Sequence, residues 1–98
     1  MSEKVDVDDD IEVRDHPAAH RFEVWVGDER AGFTQYVDRG NGVVAFVHTE
    51  IKPEFEHRGL AGRLIGEALA AARERGWTVL PECPFVRAYL QQHPEETP

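Results

Sequence analysis

In Glu50-Ile51-Lys52-Pro53-Glu54-Phe55-Glu56-His57-Arg58-Gly59-Leu60-Ala61-Gly62-Arg63-Leu64-Ile65 the pattern of the chain changes from that of a strand to that of a helix. The stretch reads as a strand end, a charged loop, two small-residue positions and a first helical turn. Backbone N–H groups at a helix start have no intrahelical partner and lie at the positive end of the helix dipole. Small residues such as Gly59 and Ala61 let an anion approach that main chain, so strand–Gly-x-Ala–helix describes a phosphate-binding site. A glycine here also has a purely structural explanation, because glycine breaks strands and begins helices.

Upstream, Val43-Val44-Ala45-Phe46-Val47 is apolar on both faces, as expected of an interior strand covered on both sides. It continues through His48-Thr49-Glu50-Ile51 until Pro53 stops the ladder. Gly40-Asn41-Gly42 is a turn signal, since both residue types tolerate positive φ. Before it, residues 21–26 and 31–37 form a hairpin, with Phe22, Val24 and Val26 on one face and Arg21, Glu23 and Trp25 on the other. Ile11-Glu12-Val13 is a short edge strand.

Downstream, Leu60, Leu64, Ala68, Ala71 and Ala72 recur at helical spacing, and Gly76 caps the helix. Trp77-Thr78-Val79-Leu80 is a short strand ended by Pro81; residues 85–92 are helical, with Pro84 suited to the first position and Pro94 as the stop. Three strands, helix, strand, helix is an α+β order. A right-handed crossover over residues 43–80 sets residues 78–82 parallel to residues 43–51 and brings Glu50, Gly59, Leu60 and Cys83 to one sheet edge.

A chain of 98 residues that is 41% hydrophobic and 31% charged fits one globular domain. Its charge of −8 is uneven: residues 1–15 carry seven acids against two bases, so residues 1–10 read as an acidic, flexible lead-in to a domain over 11–95. No basic stripe suggests nucleic acid. There is no run of about 18 apolar residues for a membrane span and no signal-peptide pattern, and one cysteine forms no internal disulfide. A monomer in the cytoplasm is the expectation.

Phe46-Val47-His48-Thr49-Glu50, Pro53 to Leu64, Arg75-Gly76-Trp77-Thr78-Val79-Leu80-Pro81 and Cys83-Pro84-Phe85-Val86 resemble the GNAT acyltransferase superfamily, and more narrowly its short, single-domain YjdJ-type N-acetyltransferase branch. The resemblance spans about residues 11–95 in order and spacing. It implies a mixed, mostly antiparallel sheet with a central strand–helix–strand crossover and a C-terminal helix. It implies acetyl-coenzyme A as cosubstrate, with the pyrophosphate on the amides of Arg58, Gly59, Leu60, Ala61, Gly62 and Arg63. The pantetheine arm then lies between residues 47–51 and 78–83, beside Glu50 and Ile51. The superfamily loop runs Arg or Gln, two residues, Gly, one residue, Gly or Ala. Gly59, Leu60 and Ala61 fit it, whereas Glu56 occupies the first position and departs from it. A carboxylate there is unfavourable beside a pyrophosphate unless it points away, so Arg58 and Arg63 are the candidate sources of positive charge.

Acetyl transfer to an amine needs a neutral nucleophile, a donor for the oxyanion and a proton for the leaving thiolate. His48 is either the base or a histidine at the solvent-facing end of a strand. Cys83 is either an acyl-accepting nucleophile or a small core residue lining the pocket. Tyr89 lies where such enzymes often present a tyrosine acid, but a packed aromatic accounts for it. His57 faces solvent or a phosphate. His16, His20 and His93 lack metal-ligand spacing, and no metal is expected. The expected function is a small acetyl-coenzyme A-dependent acyltransferase acting on an amine-bearing small molecule or protein, through Cys83 or directly. A non-catalytic coenzyme A-binding or protein-interaction module of the same fold is the alternative.

Overall fold

The computed structural model describes residues 10–98; except for Asp10, the acidic lead-in lies outside the described residues. Five strands form one sheet in the order β1-β2-β3-β4-β5: β1 (Ile11–His16), β2 (Arg21–Val26), β3 (Glu29–Gly40), β4 (Val43–Ile51) and β5 (Thr78–Pro81). The first four are antiparallel neighbours, and β5 runs parallel to β4, with Val43 opposite Thr78. Helix α1 (Leu60–Glu74) makes the crossover, and α2 (Pro84–Gln92) follows β5. The fold is α+β, with a mostly antiparallel sheet and the parallel pair that the strand–helix–strand order requires. No helix among the described residues is long and apolar enough to cross a membrane.

The core lies between one sheet face and the two helices. Phe22, Val24, Tyr36, Val44, Phe46 and Val79 meet Leu60, Leu64, Ile65, Ala68, Leu69 and Ala72 of α1 and Val86 of α2. Those α1 positions recur every three or four residues, so one stripe of the helix is removed from water. Gly76 takes φ +72° just past α1, a conformation that suits glycine at a helix end. A short 3-10 turn, Pro94–Glu96, folds back: Arg73 donates to the Glu96 carbonyl at 2.7 Å, and the Tyr89 hydroxyl donates to Glu96 Oε1 at 2.7 Å.

The opposite sheet face carries no helix among the described residues, yet Val44, Ala45 and Phe46 are all buried, as expected of cover on both sides of β4. Its own side chains provide the cover. The Arg14 guanidinium lies 4.3 Å from the centre of the Trp25 ring, and Arg21 lies 5.0 Å from that of Phe33. Beneath them Glu23, expected on the solvent side, is only 5% exposed. It accepts from Arg21 Nε at 2.7 Å and Trp25 Nε1 at 3.0 Å, and pairs with His16 Nδ1 at 3.0 Å. Burial alone would raise its pKa. The hydrogen bonds from His16, Trp25 and Arg21, with the Arg21 charge, instead pull it from 4.5 to about 2.

Candidate functional site

Strands β4 and β5 part company early. Their last paired residues are Phe46 and Pro81, so Val47–Ile51 have no β5 partner and present a free edge where β5 has ended. The same five residues contain an irregularity: Gln35 pairs with His48, yet Tyr36 pairs with Phe46, leaving Val47 as an extra residue. Such a bulge reverses the facing of every later side chain. Without it His48 would share the core face with Phe46. With it, His48 turns to the open face, its ring centroid 5.9 Å from that of Phe33 and its Nε2 3.1 Å from Glu50 Oε1.

Thr49 then points inward. Its hydroxyl lies 2.8 Å from that of Thr34, and the Cys83 thiol donates to it at 3.3 Å. Cys83 is 1% exposed and forms the residue before α2, so the thiol sits at the base of the splay, turned into the protein. The two expected chemical residues are thus on opposite faces of β4: the structure does not bring His48 and Cys83 together. The buried Thr49 hydroxyl sits beside the thiol instead, backed by that of Thr34. Their sequence signal was that Thr34 falls in phase with buried Tyr36.

Beyond β4, a 3-10 turn (Pro53–Phe55) buries Phe55, and the loop to α1 passes through His57 at φ +67° and Gly59 at φ +76°. Left-handed backbone at glycine is free of strain, whereas at His57 it costs about 1 kcal/mol or more and is the kind of conformation found at binding loops. No side chain caps α1 at Gly59, and the first intrahelical bond runs from Arg63 N to Gly59 O at 3.3 Å. The N–H groups of Leu60, Ala61 and Gly62 therefore have no partner within the helix. Gly59, Leu60 and Ala61 line a cleft of about 360 Å³ together with Ile51, Phe55, Glu56, His57 and Phe85. Gly62 lines an adjoining hollow.

The charged candidates divide. The Arg58 guanidinium lies 5.2 Å from the centre of the Phe55 ring, at the cleft. Arg63 is turned away, donating to Glu67 at 3.3 Å and to the Ile11 carbonyl at 3.4 Å. Glu50 is on the open face with His48, while Glu56, the departure from the loop pattern, does line the cleft. Phe85 was not singled out from the sequence; its signal was an aromatic beside Val86, the residue α2 buries. Tyr89 stacks on His93 with centroids 4.4 Å apart, and burial together with the Glu96 hydrogen bond pushes its phenol up to about 12. His93 Nδ1 also lies 3.6 Å from Glu96 and 3.9 Å from Glu95, a partly exposed cluster that shares no residue with the cleft lining.

A family profile described as GCN5-related N-acetyl-transferase matches residues 21–97. Among solved structures, a GCN5-like candidate N-acetyltransferase from Staphylococcus aureus, determined by NMR, superposes with a TM-score of 0.68 at 17% identity, covering 89% of this chain and 84% of that one. At that identity the likeness speaks for the fold. No curated protein matches the chain.

Proposed function

The chain belongs to the GCN5-related N-acetyltransferase family, and on that premise we propose that it is a small acetyl-coenzyme A-dependent N-acetyltransferase acting on an amine of a small molecule or a protein. The observation that carries this reading is the uncapped start of α1, which opens on a cleft walled by the unpartnered end of β4. In it, the pyrophosphate rests on the amides of Leu60, Ala61 and Gly62, and Gly59 keeps the approach clear. Arg58 adds positive charge from its seat over Phe55. Arg63 adds less, because Glu67 and the Ile11 carbonyl already engage it.

The pantetheine arm runs past Ile51 and Leu60 into the splay, where main-chain groups of Val47–Ile51 left without a β5 partner hydrogen-bond to it as a strand would. One such N–H serves as donor to the thioester oxygen as charge develops there. The amine nitrogen attacks the carbonyl carbon, a C–N bond forms and the C–S bond breaks. The sulfur leaves as coenzyme A thiolate and takes a proton, while the amine gives one up. His48, with Glu50 beside it on the open face, is the candidate acceptor of that proton.

Transfer through Cys83 is the second route. Burial of that sulfur and its contact with Thr49 favour direct transfer, with Cys83 as floor beneath the splay. Intact-protein mass spectrometry after exposure to acetyl-coenzyme A, with and without an amine acceptor, separates the readings. Direct transfer predicts no acetyl adduct on the protein. An adduct in wild type that is missing in Cys83→Ser would establish the covalent route. Binding without turnover on any amine would leave a coenzyme A-binding module, and no binding at millimolar coenzyme A would sink the proposal.

A further inference from the structure

We propose that β1 is a docking edge for a second copy of this chain. Two β1 strands pair antiparallel about a two-fold axis at Val13, joining two sheets into one. The inference stands apart from the cofactor reading and sets a dimer where the sequence alone suggested a monomer. Strand β1 ends the strand order, and its outer edge pairs with no strand among the described residues. Its ladder with β2 runs in unbroken register from Ile11 to His16, so neither a bulge nor a proline blunts that edge.

Two hydrogen bonds show which main-chain groups face outward. The Gly27 N–H donates to the Asp10 carbonyl at 2.9 Å, so Asp10 is turned toward β2. Facing alternates along an antiparallel strand, so Glu12, Arg14 and His16 also turn their main chain to β2, and Ile11, Val13 and Asp15 turn theirs to the free edge. The Ile11 carbonyl agrees: its donor is the Arg63 guanidinium of α1, at 3.4 Å, and not a strand. Side chains alternate as well. Ile11 and Val13 pack against the core, while Arg14 lies over the Trp25 ring on the open face and donates to Glu12 at 3.1 Å.

The charges then select the register. Two free edges exchange hydrogen bonds only where outward-facing residues meet, which allows an axis at residue 12, 13 or 14. An axis at Val13 sets Glu12 opposite Arg14 of the second copy and Arg14 opposite its Glu12, so acid and base alternate around the axis. Asp10 then faces His16 of the second copy, and Asp15 faces its Ile11, beside which Arg63 stands. An axis at residue 12 or 14 sets Glu12 against Glu12 or Arg14 against Arg14, and like charges directly opposite one another oppose pairing. One short strand is a small interface, so the association is weak and concentration-dependent. Because β5 ends the sheet on the other side, the splay beside it stays open in both copies.

Sedimentation velocity over a dilution series, on wild type, Glu12→Arg, Arg14→Glu and an equimolar mixture of the two variants, tests this register. Thermal melts establish that the variants fold. Wild type is expected to dimerise as concentration rises, each single reversal to weaken dimerisation by about tenfold or more, and the mixture to recover it, since the two variants face each other with opposite charges throughout. On wild type alone, amide hydrogen exchange at Val13 and Asp15 should slow with rising concentration. A wild type that stays monomeric up to about 1 mM, exchange at those amides that ignores concentration, or dimerisation that ignores the reversals would overturn the proposal. Variants that stay monomeric when mixed would overturn the register.

Discussion

Glu56 stands where a pyrophosphate loop most wants a basic or amide side chain, and it lines the cleft. Two unit charges a few ångströms apart near a protein surface interact by about 1–4 kcal/mol before salt screening. Replacing the carboxylate by its neutral isostere is therefore expected to tighten coenzyme A binding several-fold in low salt. The gain should shrink as ionic strength rises past about 0.15 M, where exposed charges are screened beyond roughly 8 Å. Titration of Glu56→Gln at two salt concentrations measures both effects. An unchanged affinity at low salt would mean that the carboxylate is turned away from the phosphates. His48 makes the complementary point. Its residue type marked it as a base, but one extra residue, Val47, determines which face it serves.

At the level of the element, α1 carries two glycines with opposite consequences. A Cβ on Gly62 would meet open space, whereas one on Gly66 would fall 2.7 Å from the Tyr89 hydroxyl. Alanine gains up to about 1 kcal/mol over glycine inside a helix. At Gly66 that gain is opposed by the hydrogen bond from Tyr89 to Glu96, worth about 1.5–3 kcal/mol for a charged acceptor. Gly62→Ala is thus expected to raise the melting temperature and Gly66→Ala to lower it. Denaturant unfolding of the pair decides this; a stabilised Gly66→Ala would show that Tyr89 can swing away at no cost. Only Gly62 borders the cleft's anion-facing turn, so the contrast also separates helix propensity from the packing that holds α2 and its terminal turn against α1.

Across the whole molecule, the sheet is covered by helices on one face and by its own arginines and aromatics on the other, with Glu23 at the centre of that second layer. Its carboxyl is held near 2, below the ordinary 4.5, so its share of stability is complete above pH about 5 and is lost as pH falls toward 2. A displacement of that size corresponds to roughly 3 kcal/mol. Urea unfolding of wild type between pH 6 and pH 2 should show this loss, and Glu23→Gln should be less stable at neutral pH with a flatter acid limb. Equal slopes for the two proteins would assign the acid sensitivity elsewhere.

Most of the architecture was legible locally. The alternation of Phe22 with Val24, the turn at Gly40-Asn41-Gly42, the stripe from Leu60 to Ala72 and the stops at Gly76, Pro81 and Pro94 are short-range features, each determined by the conformations its residues allow. The order of those elements then dictated a crossover and, with it, the meeting of the β4 end with the start of α1. Tertiary structure alone decided what depends on strands of distant sequence. The Val47 bulge arises from how β4 pairs with β3, and a period-two pattern cannot register one unpaired residue, so the facing of His48 and Thr49 was hidden. The direction taken by Arg63 depends on β1, fifty residues earlier in the chain, and the burial of Glu23 on donors from three strands. Local sequence determined the helix start that can receive an anion. Long-range pairing determined which side chains stand around it.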